Sequence, residues 1–310
     1  MALLPALTCP NCQFLMAAME YVGQVSTATG FDDCVRRCEQ CGIAASNTAD
    51  SNAVTFIYRD PLGNIPIESR EGASEALANA LNVRNRESKR RRFGFSTSED
   101  AVTWVVFTYL LRSSQLLAAL RRVRVISDDT FIPAPTLLLW GASIEGGQRG
   151  DEIRKQLSDL CASLKEDPNS FSEPDVIIDL GEAGLLFIEV KYRSGNDTKP
   201  NDYPGWSRYE SASQLGWRFD NVRASGCYEL ARNWCLLKNL AGKRVASLVN
   251  LGPEKLFLGV EGKRLDGFID ALELDQQSQF MKATWSDLLG NNLGDLPAWL
   301  ANFCRSRQLV

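Results

Sequence analysis

A chain of 310 residues can bury a large core as one domain or two. It has no histidine, which excludes Ser-His-Asp and Cys-His nucleophile systems, HNH-type and histidine-based ribonuclease chemistry, and any histidine ligand to zinc. The net charge of -4 argues mildly against a protein coated in nucleic acid, so the distribution of charge matters more than its sum. No uncharged apolar run reaches the ~18 residues of a membrane span, and Met1 to Leu7 lacks a positive n-region, so the expectation is a cytoplasmic protein with no membrane partner.

The first segment, to about Tyr58, holds five of the nine cysteines. Cys9-Pro10-Asn11-Cys12 and Cys38-Glu39-Gln40-Cys41-Gly42 are two Cys-x-x-Cys knuckles. Their spacing predicts a zinc ribbon in which Cys9, Cys12, Cys38 and Cys41 close an all-cysteine tetrahedron. A short helix-like insertion is expected at Phe14 to Val22. Cys34 is a spare, set four residues before Cys38. Val54 to Tyr58 reads as a strand, Asp60 to Asn64 as a turn, and the alanine-rich Gly72 to Leu81 as a helix.

From Arg84 to Arg124 ten basic residues face three acidic ones. Such a patch is a phosphate footprint or, equally, a solvated linker followed by a basic helix face. Ala101 to Leu120 is long, apolar and free of Gly and Pro, which predicts one largely buried helix. At its head, Ser96-x-x-Glu99 has the form of a capping box. Thr136 to Trp140 reads as a strand. Gly141 to Gly150 is glycine-rich but lacks the Gly-Lys-Ser/Thr of a phosphate-binding loop, which argues against nucleotide hydrolysis. Asp151 to Leu164 has the apolar spacing of an amphipathic helix.

The most informative stretch follows. Pro174-Asp175 opens the apolar run Val176 to Ile178. After a turn at Gly181 to Gly184, Leu185 to Ile188 runs into Glu189-Val190-Lys191. Charges at the ends of two adjacent buried strands are costly unless they converge on a partner such as a divalent cation. Their strand-end positions predict that replacing them costs little stability. Beyond them, Tyr192 to Gly205 reads as an exposed loop. One helix is expected from about Ser207 to Val222, with Ala212, Leu215, Phe219 and Val222 as its apolar stripe and Gln214, Arg218 and Asn221 beside it. A helix at Tyr228 to Leu240 and a strand at Val245 to Asn250 complete an α-β-β-β-α-β order. The tail carries a Phe280 to Leu289 unit and a helix near Leu296 to Phe303. Cys161, Cys227, Cys235 and Cys304 read as small core residues.

Pro174-Asp175 and Glu189-Val190-Lys191, fourteen positions from Asp to Glu, resemble the signature of the PD-(D/E)XK nuclease superfamily. The resemblance covers about Phe95 to Asn250. It implies an α/β fold with a restriction-endonuclease-like mixed sheet flanked by helices. The zinc ribbon would occupy residues 1–68 and the nuclease-like domain 69–310, with a helical extension over 251–310. It also implies that Asp175, Glu189 and the Val190 carbonyl bind Mg²⁺ or Mn²⁺, and that Lys191 orients water or stabilises charge at phosphorus. Glu99, or its neighbour Asp100, would help hold the metal unless Glu99 serves only as a cap. Gln214 would face the site from the following helix unless it belongs to a solvent-facing stripe.

The function implied is metal-dependent cleavage of DNA by a restriction or anti-phage effector or a repair nuclease, acting as a homodimer or with a partner protein of a defence system. The alternative is a non-catalytic nucleic-acid- or protein-binding module that keeps the nuclease fold.

Overall fold

The computed structural model describes residues 1–26, 30–210, 215–290 and 292–310. Short strands build its N-terminal part: β1 (Ala2–Leu4), β2 (Leu7–Thr8), β3 (Leu15–Met16), β4 (Met19–Tyr21), β5 (Arg36–Arg37), β6 (Ala44–Ala45) and β7 (Phe56–Ile57). Pairing is antiparallel throughout: β1 with β4, β2 with β3, and β5-β6-β7 as a small sheet. The helix-like insertion expected at Phe14 to Val22 is therefore two strands. Gln13 takes a left-handed turn (φ 62°) and the Cys9 N–H donates to Phe14 O, which folds β3 straight back onto β2. Strand pairing overrides local helix propensity there.

Next come α1 (Ala73–Ala78), α2 (Arg86–Phe93), α3 (Glu99–Arg112) and α4 (Leu116–Arg122). The single helix expected over Ala101 to Leu120 is broken. Ser114 sits at φ 58°, and the Ser113 hydroxyl donates back to Tyr109 O. Serines compete for backbone hydrogen bonds in this way and favour helix ends.

The main sheet follows: β8 (Thr136–Leu139), β9 (Ala142–Ser143), α5 (Gln148–Ser163), β10 (Val176–Asp179) and β11 (Leu185–Val190). After these come α6 (Ser207–Glu210), α7 (Phe219–Ser225), α8 (Tyr228–Ala241), β12 (Ala246–Gly252), α9 (Gly259–Ala271), α10 (Leu274–Gln277), β13 (Phe280–Thr284), α11 (Trp285–Leu289) and α12 (Ala298–Ser306). The helix expected over Ser207 to Val222 is interrupted, because Gly216 adopts φ 61° and Trp217 bridges to Leu272. Ala212 and Gln214 lie outside the described residues.

The sheet is mixed, in the order β13-β12-β11-β10-β8-β9. β11, β12 and β13 are parallel, and the other neighbours are antiparallel. The segment expected as a helical extension thus supplies the edge strand β13. Every residue of β11 is buried, as befits a central strand covered on both faces. Its alternation divides the core. Leu186, Ile188 and Val190 pack with α3, α4 and α12, whereas Leu185 and Phe187 pack with α5 and α8. The result is a mixed α/β sheet between two helical layers.

Candidate active site and cysteine metal centre

The two knuckles come together as the spacing predicts. Cys9 and Cys41 sulfurs lie 3.4 Å apart, Cys12 and Cys38 3.3 Å, and Cys12 and Cys41 3.7 Å. All four ligand atoms fall within 4.8 Å of one another. Tetrahedral zinc with Zn–S near 2.3 Å needs sulfurs about 3.8 Å apart, so the cluster fits a structural metal such as zinc. Backbone N–H groups of Asn11 and Cys12 face the Cys9 sulfur, and those of Gln40 and Cys41 face that of Cys38. Gly42 (φ 73°) and Gln13 (φ 62°) make equivalent left-handed turns after each knuckle. Cys34 stands apart, donating to Gly30 O and packing on Ala44 and Ile57.

At the other centre, register does the positioning. Val176 pairs with Ile188 on antiparallel strands, so one rung further Asp175 stands opposite Glu189. Residues opposite each other in a sheet project to the same face. Asp175 Oδ2 accepts the Val190 N–H at 2.9 Å. Asp175 keeps part of its surface in an adjoining cleft, yet desolvation pushes its pKa up to about 7, with Lys191 pulling the other way. Glu189, 2% exposed, is raised well above the usual carboxylate range by burial and by Asp175 and Glu229.

Glu99 is not the cap of a box. Ser98 caps α3 by accepting the Ala101 N–H, while Ser96 Oγ accepts the Phe56 N–H. This frees the Glu99 carboxylate to bind the Tyr192 N–H (2.7 Å) and the Ser194 hydroxyl (2.8 Å), just past the Glu-x-Lys strand. Its pKa rises to about 7, through burial opposed by Lys191. Asp100 is held by Lys89 Nζ at 2.9 Å. The same ammonium reaches Glu173 at 3.1 Å and lies over the Trp140 ring.

Lys191 is 5% exposed and holds two carboxylates, Glu189 at 2.6 Å and Glu229 at 2.7 Å, with Glu99 at 4.0 Å. Burial acts against its charge, but the carboxylates outweigh it and raise the pKa well above the ordinary value.

Sequence reasoning missed the α8 residues of this network. Glu229 also accepts the Asp197 N–H and lies 3.8 Å from Arg232. Burial opposes its charge, but Lys191 and Arg232 prevail and draw its pKa down to about 2. Asn233 Nδ2 donates to Glu189 Oε2 at 2.6 Å. A signal existed: Glu229, Arg232 and Asn233 stand at i, i+3 and i+4 in the first half of a largely apolar helix, one face turned to a single spot. Of the stripe Gln214, Arg218, Asn221, Gln214 lies outside the described residues and the other two do not provide that face. Arg218 instead bonds Asp270 O and the Ala271 carbonyl, and Asn221 is exposed.

Most of the basic segment is committed to structure. Arg84 pairs with Asp167, Lys89 is buried in its network, and Arg86, Arg112, Arg121 and Arg122 donate to backbone carbonyls. Arg90, Arg91 and Arg92 on α2 are exposed and form no salt bridge among the described residues. Arg92 lines a cleft of about 810 Å³ that also reaches Glu99, Asp100 and Asp175.

Among the described residues the cysteines are the one group of three or more such side chains with ligand atoms this close together. The carboxylates are spaced more widely around Lys191. No described helix is long and apolar enough to cross a membrane. No protein-family model, curated protein or solved structure matches the chain.

Proposed function

We propose that the chain is a metal-dependent nuclease that hydrolyses DNA phosphodiester bonds on a restriction-endonuclease-like core, with zinc in its cysteine centre. The observation that carries this is the β10–β11 rung: Asp175 opposite Glu189, Lys191 two residues on, and Glu99 arriving from α3. The succession α3, β8, β10, β11, α8, β12 also follows the helix, three strands, helix, strand order expected of such nucleases, with α4, β9, α5, α6 and α7 inserted.

The donor set suits a hard divalent cation. Asp175, Glu189, Glu99 and Glu229 outnumber the cations Lys191 and Arg232 among them, and two carboxylates with waters suffice for Mg²⁺. Asp175, Glu189 and the Val190 carbonyl would hold Mg²⁺ or Mn²⁺, with Glu99 beside them. When bound, the ion polarises a phosphoryl oxygen and acidifies water. Lys191, held by its carboxylates, would lend positive charge to phosphorus. Asn233 fixes Glu189, while Glu229, itself paired with Arg232, fixes the Lys191 ammonium.

Calorimetric titration with Mn²⁺ tests this directly. Wild type should bind, and Asp175→Ala should lose that binding. Equal affinity in the two would remove the metal site, leaving a non-catalytic binding module.

The α2 arginines carry a separate expectation. Neutralising Arg90, Arg91 and Arg92 together should weaken DNA affinity alike for all sequences. On duplex DNA it should also flatten the salt dependence by roughly 0.9 log units per log unit of salt for each phosphate no longer bound. Turnover at saturating substrate should hardly change. Binding titrations at two salt concentrations measure this, and an unchanged affinity would make α2 a merely solvated face.

A further inference from the structure

We infer, resting on the nuclease reading, that the strand entering the cleft is single, so that the substrate is single-stranded DNA or an unpaired stretch within a duplex. Asp175 and Glu99 open on the cleft of about 810 Å³, whose remaining walls include Ala53 and Thr55 of the N-terminal part and the arginines Arg92 and Arg193. The cleft is half open, and a strand lying along it meets these walls and the carboxylates together.

The wall formed by Ala53 and Thr55 is fastened to the core. Ser96 N donates to Phe56 O at 2.8 Å and Tyr58 N to Gly94 O at 2.9 Å, so β7 runs along the segment that leads into α3. Asn64 Nδ2 donates to both Phe93 O and Phe95 O at 2.7 Å, and Arg307 from α12's end reaches Asn64 O at 3.0 Å. These bonds hold the wall fixed against the segment that leads into α3.

The lining suits one strand. Arg92 and Arg193 are exposed, come from separate elements, and form no salt bridge among the described residues. They offer two phosphate-binding groups beside the carboxylates. Phe95, half-buried in the same wall, offers a ring on which a base can stack, an interaction tolerant of sequence.

The test uses the full chain with Mn²⁺ and three labelled substrates: an oligonucleotide, its blunt duplex, and that duplex with an unpaired central bubble. The single strand and the bubble should be cut about tenfold or more faster than the duplex, the scale of one stacked base. A duplex cut as fast as the single strand overturns the inference while leaving the nuclease intact. If nothing is cut, the nuclease reading fails. Anisotropy titrations in Ca²⁺ then decide the inference: tighter binding of the single strand sustains it, and equal or tighter binding of the duplex overturns it. Arg193→Ala, at an exposed position, should weaken single-strand affinity more than duplex affinity, and an equal loss for both counts against it.

Discussion

Lys191→Ala and Asp175→Asn should each lower DNA cleavage by about a hundredfold or more, yet move stability in opposite directions. Lys191 neutralises Glu189 and Glu229 at 2.6 and 2.7 Å in a site almost closed to water. Its removal leaves Glu189 without its cation and Glu229 with Arg232 alone, a change that costs roughly 3–5 kcal/mol in comparable pairs. Asp175→Asn keeps an oxygen to accept the Val190 N–H and removes a desolvated charge. The metal-free protein should become as stable or a few degrees more so.

The pH dependence has a definite sign. The folded-state pKa values of Asp175 and Glu99 are raised from 3.8 and 4.5 to about 7. Between those limits the folded state holds protons that the unfolded state has released, so stability falls as pH rises from about 4 to about 7. Metal-free wild type should melt higher near pH 5 than near pH 7.5, and Asp175→Asn should show a flatter profile. Mg²⁺ or Mn²⁺ should raise the Tm of wild type near the upper pH and not that of Asp175→Asn. Thermal melts at both pH values, with and without metal, check this. An Asp175→Asn variant destabilised as severely as Lys191→Ala would refute the assignment of excess negative charge.

Cys38→Ser should release the structural metal and unfold the N-terminal part, whereas Cys34→Ser should retain about one zinc per chain by elemental analysis. The physical reason is a scarce core. Leu7, Met16, Ile43, Ala45 and Val54 pack directly around the sulfurs of Cys9 and Cys38, and strands of two or three residues bring few ladder bonds. Metal ligation stands in for hydrophobic burial in such small units, with apparent binding energies of about 10–16 kcal/mol in zinc-finger peptides. Because β7 lies along Gly94 to Ser96, the loss should also loosen the cleft wall. Protease sensitivity rising in residues 1–58 of Cys38→Ser alone is the expected pattern. A Cys38→Ser protein that keeps its zinc and its resistance would show that these thiols bind no metal.

Short-range signals were legible where chemistry demands a fixed spacing. The two Cys-x-x-Cys knuckles and the strands around Gly181 to Gly184 follow from local pattern, whereas Glu99 beside the Glu-x-Lys strand was implied by the resemblance, its local pattern pointing to a capping box. Two kinds of information were not local. The hairpin of β2 and β3 depends on a left-handed turn at Gln13, which nothing in that residue announces. The α3–α4 break depends likewise on Ser114. The network on Lys191 required knowing that α8, about forty residues downstream, packs on β11 and β12. For the same reason cheap substitution is expected at Asp175 but not at Lys191, whose strand-end position is closed over by α8. The ten-residue basic segment illustrates the converse. Its charges are real, but most bind backbone carbonyls or carboxylates, leaving Arg90 to Arg92 and Arg124 as the exposed remainder.

The measurement closest to the central claim is cleavage of labelled single-stranded and circular DNA by the purified chain with Mg²⁺, Mn²⁺ or EDTA, in parallel with Asp175→Asn and Glu189→Gln variants shown to be folded. The account predicts products with 5′-phosphate and 3′-hydroxyl ends with either metal, none in EDTA, and a loss of about a hundredfold or more in both variants. Cleavage that persists in EDTA, or that both variants perform at the wild-type rate, would contradict it.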